Sequence, residues 1–476
     1  MSDEHPGAEH LNLRENFPAV PTDTWEDAIR SFLEGAPERE LVWHSDEGLV
    51  VRPYYRSDAL AGLQTQTSAI PGQFPFVRGP GREWKIDETG LMQGNSVRAD
   101  LVLEAGGDSI QQLGIAIAEG VEKLTVLGET RSIDLAAREI QFVFGIGSTY
   151  FFEIAKLRAA RMLWARVVEQ FKPINLDSCG MNLHARTVRI NKSFCDPHTN
   201  ILRATTEAMA AGIGGCDSLT VEPFAFDRQI AINIQRVLAE EAHLNIVADP
   251  AGGSYYIEAL TTSLARAAWT LFQRIEASGG YISSINWLAG EIAQSRAARE
   301  NDVSSRRRTL VGVNNYPNPA EEFLSKDSRE RIAGGPFPQF RLAEPFEAIR
   351  ERTARHTAKT GRTPKVLLLK RGDLSMRTAR ATFSLNLFGC AGFDIDQLEE
   401  YAETDADLIV LCSSDPEYLP FAEEVCATVK VPVVIAGNPQ DHAPTLKAAG
   451  IQGFVHTGSD AIEILTSWQD RLGLEK

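Results

Sequence analysis

The six cysteines, at positions 179, 195, 216, 390, 412 and 426, include no CxxC pair, and no histidine stands at a metal-ligand spacing from them. That argues against a zinc site or a disulfide framework and predicts reduced, mostly buried thiols. No window of about 18 consecutive apolar residues occurs, so a membrane-spanning helix is excluded. Positive charge is in short supply: 48 Lys and Arg stand against 64 Asp and Glu, a formal net charge of -16. So acidic a chain lacks the basic face that nucleic acid or an anionic membrane requires. The first residues, Met1-Ser2-Asp3-Glu4-His5, are acidic where a signal peptide is basic and then apolar, so the expected location is cytoplasmic. Common catalytic signatures are also missing. Gly145-Ile146-Gly147 lacks the third glycine of a dinucleotide fingerprint, no P-loop occurs, and Gly252-Gly253-Ser254 is a turn with no strand before it for a nucleophile elbow.

What is present is an ordinary globular composition, 43% hydrophobic and 24% charged, over 476 residues. That length holds two or three domains with real cores. Residues 1–83 read as an N-terminal arm. Thr22 or Asp23 is placed to cap a helix over 25–33, and the segments 48–55 and 71–79 are rich in Pro and Gly, hence extended. From residue 84 to 300 strand and helix patterns alternate. Strands are expected over 99–104, 139–145, 181–187 and 218–221, with 84–86 as a candidate fifth. Helices are expected over 109–124, 150–171, 200–212, 228–242, 263–279 and 284–300. A closed (β/α)₈ barrel needs eight strands, so only part of one is present. Residues 301–363 form a linker, part helical and part extended, which carries Asn314-Asn315-Tyr316-Pro317. Residues 364–476 return to βα repeats, with strands over 365–370, 407–412, 431–436 and 453–455 and a helix over 377–388, as in a small doubly wound parallel sheet.

Three runs carry a resemblance. Phe144-Gly145-Ile146-Gly147 leads into Tyr150-Phe151-Phe152-Glu153-Ile154-Ala155-Lys156-Leu157-Arg158, and Asp249-Pro250-Ala251-Gly252-Gly253-Ser254-Tyr255-Tyr256 follows later. Together they resemble the barrel of the cobalamin-dependent methylmalonyl-CoA mutases. His184-Ala185-Arg186-Thr187 and the Asn191-Lys192 pair resemble the small-subunit version in particular. The resemblance implies an α/β fold: a truncated TIM-like (β/α) barrel, a C-terminal flavodoxin-like domain of cobalamin-binding type, and an extended arm of the kind that embraces a partner chain. Only ten residues (87–96) stand where the family places several βα units. Half a barrel encloses no axis, so its concave face is expected to be open to water.

The same resemblance implies where chemistry should sit, and there the chain departs from the pattern. A cobalamin domain carries Asp-x-His-x-x-Gly, in which the His ligates cobalt and the Asp orients it. Here Asp373 survives, but Ser375 stands at the ligand and Thr378 at the glycine, and Ala436-Gly437-Asn438-Pro439 replaces a later Gly-Gly pair. By the same resemblance, Arg78 in the arm and His184, Arg186 and Asn191 in the barrel would be the remnant of a substrate pocket. His184 is open to reading as a catalytic group or as a core histidine, and Arg78 as an anion contact or as a structural ion pair. No catalytic residue, cofactor or metal is therefore assigned to this chain. The expectation is a non-catalytic small (beta) subunit, paired as a heterodimer with a large (alpha) subunit that holds adenosylcobalamin and converts methylmalonyl-CoA to succinyl-CoA, as in propionate metabolism. A homodimer is also open. The rival readings are a divergent catalytic acyl-CoA mutase chain and a stand-alone scaffold or acyl-CoA-binding homo-oligomer.

Overall fold

The computed structural model describes residues 19–35, 41–79, 81, 83–87, 94–318, 321, 335–402 and 404–475. The Met1–His5 stretch, Pro80, Arg82, Pro319 and most of the short connection at 87–96 lie outside that set. The architecture is α/β, with two parallel five-stranded sheets and a small antiparallel pair, β1 (Trp43–His44) with β2 (Val50–Val51).

The first sheet contains β3 (Lys85–Ile86), β4 (Ser96–Arg98), β5 (Gln141–Ile146), β6 (Asn182–Thr187) and β7 (Ser218–Thr220). Its order is β3-β7-β6-β5-β4, so the first strand in sequence lies beside the last, as at the seam of a closed parallel barrel. The pleat sorts the side chains. Phe142, Phe144, Leu183, Ala185 and Leu219 face the helices and join the main apolar cluster. The rings of Phe142 and Trp164 meet edge to face at 4.6 Å, a geometry that adds about 0.5–1.5 kcal/mol beyond the buried area. Gly120 is required there, because a Cβ would come within 2.7 Å of Phe142. The covering helices are Ser109–Gly128, Tyr150–Gln170, Tyr255–Ala277 and Tyr281–Ser304. The first is opened by a reciprocal capping box between Asp108 and Gln111.

Several expected boundaries move. The strand expected at 99–104 is instead β4 followed by a helix, Asp100–Glu104, buried on every side. A short, wholly buried apolar run has no periodicity by which to tell strand from helix. The arm helix runs Thr22–Phe32 behind Pro21, with no side-chain cap from Thr22 or Asp23. The helix expected over 228–242 is α-helical only for Arg228–Arg236 and then widens into a π turn at Val237–Glu241. A helix at Ile133–Glu139 and a strand at Asp394–Leu398 were not anticipated.

The second sheet holds β8 (Lys365–Lys370), β9 (Asp394–Leu398), β10 (Leu408–Cys412), β11 (Val433–Ala436) and β12 (Gly453–Val455), in the order β12-β11-β10-β8-β9. That is one of the two common doubly wound orders. Leu367, Leu369, Ile409 and Leu411 face one apolar cluster, while Val366, Leu368, Val410 and Cys412 face another. The second cluster continues through Phe340, Phe346 and Val303 to Leu103, Val188 and Ile190 at the first sheet. One apolar seam thus joins the two sheets.

Candidate functional site

On the face of the first sheet away from the helices stand polar groups. Ser96 Oγ donates to Gln141 Oε1 at 3.1 Å across β4 and β5. His184 Nδ1 lies 2.8 Å from Ser218 Oγ and its Nε2 3.2 Å from Thr220 Oγ1. The imidazole is only 1% exposed, and burial pushes it down to about 4. It is therefore neutral near pH 7, with one nitrogen donating and the other accepting. His184 is a satisfied core histidine.

Ion pairs fill the rest of this face. Arg98 Nε and Nη2 bind the two oxygens of Asp100 at 2.7 and 2.6 Å. Arg186 and Arg189 both pair with Glu222. Burial works against the Glu222 charge, yet the two guanidinium groups hold its carboxyl below the usual carboxylate range. Glu104 accepts from Arg189 N at 2.7 Å, but burial dominates and raises its carboxyl to about 7. The expectation of a concave face open to water fails at these residues, since Ser96, Gln141, His184 and Thr220 are all under 10% exposed. The cause is local: short strands pair closely, Thr220 Oγ1 reaches the Asp87 carbonyl at 3.4 Å, and the arginines fold onto carboxylates of the same face.

Arg78 is a structural ion pair, its Nε 3.0 Å from Asp249 Oδ2. Sequence reading missed the cluster it belongs to. Arg158, fully buried, bonds both Asp249 and Glu258, and Gln66 of the arm donates to the same Glu258. One helical turn on, Arg161 donates to the carbonyls of Phe76, Val77, Gly214 and Gly215. The charged residues of the Tyr150 run and the Asp249-Pro250 turn therefore clamp the arm to the sheet. Asn191 also has a structural partner: its Nδ2 donates to Glu207 at 2.8 Å, and Lys192 Nζ reaches both Glu207 oxygens at 2.6 and 2.7 Å. This buried triad ties the loop after β6 to the Thr199–Ile213 helix.

In the second sheet, Asp373 is the N-cap of the Leu374–Gly389 helix, accepting from Met376 N at 2.9 Å. That helix begins three residues earlier than expected, so Ser375 and Thr378 lie on its exposed first turns rather than in an open loop. Thr378 Oγ1 donates back to Leu374 O at 2.6 Å. The residues do not suit a cobalamin. The imidazole that would ligate cobalt has only a surface hydroxyl at its place, and the carboxyl ends of β10 and β11 are bridged by the buried Tyr418, whose hydroxyl accepts from Ser413 N and donates to Ala436 O. Arg380 closes over Gly437, where a Cβ would meet its guanidinium at 2.8 Å. Among the described residues no helix is long and apolar enough to cross a membrane, and no group of three or more His, Cys, Asp or Glu is arranged to hold a metal.

Comparison with known proteins places these features. The family described as methylmalonyl-CoA mutase matches residues 82–333. A methylmalonyl-CoA mutase small subunit from Porphyromonas gingivalis is 32% identical, with 98% of this chain and 99% of the relative covered. That alignment runs over 627 positions against a chain of 476 residues, so the relative carries a long stretch with no counterpart here. The small subunit from Streptomyces virginiae is 36% identical over 78% of this chain and 63% of its own length. A probable small subunit from Mycobacterium tuberculosis is 38% identical over 66% and 54%. The chain thus spans less than two thirds of the latter two relatives.

Proposed function

Because the chain belongs to the methylmalonyl-CoA mutase family, we propose that it is a non-catalytic small subunit that pairs with a cobalamin-bearing large subunit and supports its conversion of methylmalonyl-CoA to succinyl-CoA. The first sheet is then a truncated (β/α) barrel and the second a flavodoxin-like domain that holds no cobalamin. The units are the arm at 1–83, the barrel remnant at 84–300, a linker at 301–363 and the C-terminal domain at 364–476, in a cytoplasmic protein.

The observation that carries this reading is the pairing of Arg186 and Arg189 with Glu222, next to the Arg98–Asp100 pair, on the face where a barrel would admit its substrate. Charges already engaged with one another in a part-buried cluster are costly to separate, so these arginines are held by the protein's own carboxylates rather than offered to an acyl-CoA. The pairing role is supported by apolar surface on the N-terminal region, where Trp25, Phe32, Trp43 and Val50 are between 41% and 85% exposed. The test is co-expression with a family large subunit. This chain should co-elute with it, and purified alone it should stay colourless after incubation with adenosylcobalamin and removal of the excess. Tight corrin retention by the isolated chain, or isomerisation of methylmalonyl-CoA by it, would refute the reading.

A further inference from the structure

We infer that the crevice at the carboxyl ends of β8, β10 and β11 is closed by occupants built into the chain, the Glu417 carboxylate and the Tyr418 phenol. In a doubly wound sheet, ligands bind outside the carboxyl ends of the strands where strand order reverses. Here the reversal falls between β8 and β10, since the chain goes from β8 to β9 on one side and from β10 to β11 on the other. Glu417 sits at that point. Its Oε2 accepts from Ser413 Oγ at 2.8 Å, from Ser414 N at 3.3 Å and from Ser414 Oγ. Hydroxyl donors of this kind hold its carboxyl down at about 2.

An ordinary capping box accounts for part of this, because Ser414 and Glu417 cap the start of the following helix reciprocally. It does not account for the rest. A capping box requires nothing of a neighbouring strand, yet the loop after β8 gives way to this carboxylate. Gly372 lies there at φ 81°, and a Cβ on it would collide with the Glu417 carboxylate. Nor does a cap require Ser413, the residue that directly follows β10, whose single hydroxyl proton lies between the Glu417 carboxylate and the Arg371 carbonyl, each 2.8 Å from Oγ. The adjacent Tyr418 is wholly buried, with its hydroxyl between Ser413 N at 3.2 Å and the carbonyl of Ala436 at the end of β11. A half-buried carboxylate and a wholly buried aromatic ring thus stand side by side at the crevice. The sheet carries internally the chemistry that a doubly wound domain ordinarily takes from a small molecule.

The experiment uses the full chain and two variants, Glu417→Ala and Tyr418→Phe, with thermal unfolding and amide hydrogen exchange as readouts. Glu417→Ala should lower the midpoint by roughly 3–8 °C, and sodium acetate should restore part of that loss, beyond its effect on the unsubstituted chain and beyond sodium chloride at equal ionic strength. Tyr418→Phe keeps the ring and loses the bridge, so amides 413 and 436–437 should exchange faster while those of β8 stay protected. The inference fails if acetate does not distinguish Glu417→Ala from the unsubstituted chain, and it fails equally if exchange in Tyr418→Phe is unchanged. It does not depend on the partner reading: a chain that paired with no large subunit would leave both outcomes as stated.

Discussion

Arg158 and Glu258 meet inside the protein, with Nη2 and Oε1 2.6 Å apart and both side chains at most 1% exposed. They come from different helices, and the same carboxylate also receives Gln66 of the arm. Removing one member of a buried pair strands the other without solvent. Arg158→Ala should therefore cost about 3–5 kcal/mol in urea unfolding and loosen the arm, read as faster proteolysis near residues 66–79. Arg158→Met should cost less than Arg158→Ala because it retains packing volume. Equal stability of Arg158→Ala and the unsubstituted chain would show that the clamp is dispensable.

His184→Ala should destabilise the fold by about 1–3 kcal/mol, since Ser218 and Thr220 lose their shared partner in a dry site. In the complex with a large subunit, turnover should stay within a few-fold as long as the chains still assemble. Loss of turnover with assembly intact would overturn the non-catalytic reading. The pH response has a definite sign. A folded value near 4, against an ordinary value of 6.5, means the unfolded chain takes up the proton first. The contribution of His184 is therefore complete above pH 6.5 and lost as pH falls toward 4, and His184→Gln should flatten that part of the stability curve.

Glu104 slopes the other way. Its folded value of about 7 lies above the ordinary 4.5, so the folded chain holds the proton more tightly. Its contribution is full below pH 4.5 and declines as pH rises through 7. Glu104→Gln keeps an acceptor for Arg189 N and carries no charge, so its stability relative to the unsubstituted chain should rise between pH 5 and 8. Chemical denaturation at several pH values measures this. A constant difference across that range would exclude Glu104 as the titrating group.

Reinstating the family residues in the second sheet should not create a corrin site. Ser375→His with Thr378→Gly supplies an imidazole, but Tyr418, Arg380 and Glu417 still occupy the crevice. The double variant should remain colourless after incubation with cobalamin and gel filtration. A retained corrin spectrum would show that the ligand position alone was limiting.

The sequence was most legible where periodicity was long. Helices such as Tyr150–Gln170 and Ser109–Gly128 and the runs of β8 and β10 lie within a few residues of expectation. It misled where burial was complete: Leu101-Val102-Leu103 reads as strand because each of its faces is apolar. The β9 strand was missed for the opposite reason, since Asp394-Ile395-Asp396-Gln397-Leu398 is a polar edge segment. The partners of the candidate residues were not legible in the sequence. Asp249 with Arg158, Glu222 with Arg186 and Glu207 with Lys192 are joined only by folding, across up to 91 residues. The capping boxes Asp108–Gln111 and Ser414–Glu417 are pairings with a local signal.

The bond from Gln66 to Glu258 spans 192 residues of chain. At roughly 5–20 residues per second on the ribosome, the arm waits about 10–40 s for its partner to be made. β3 waits similarly for β7, its one neighbour in the sheet among the described residues. During that interval Trp84 and Phe76, buried in the finished protein, have no core to enter. Such late closure slows folding and leaves apolar chain within reach of chaperones and proteases. A truncation ahead of Glu258 would thus remove one anchor of the arm, the Gln66–Glu258 bond, and leave those to Arg161 and Asp249.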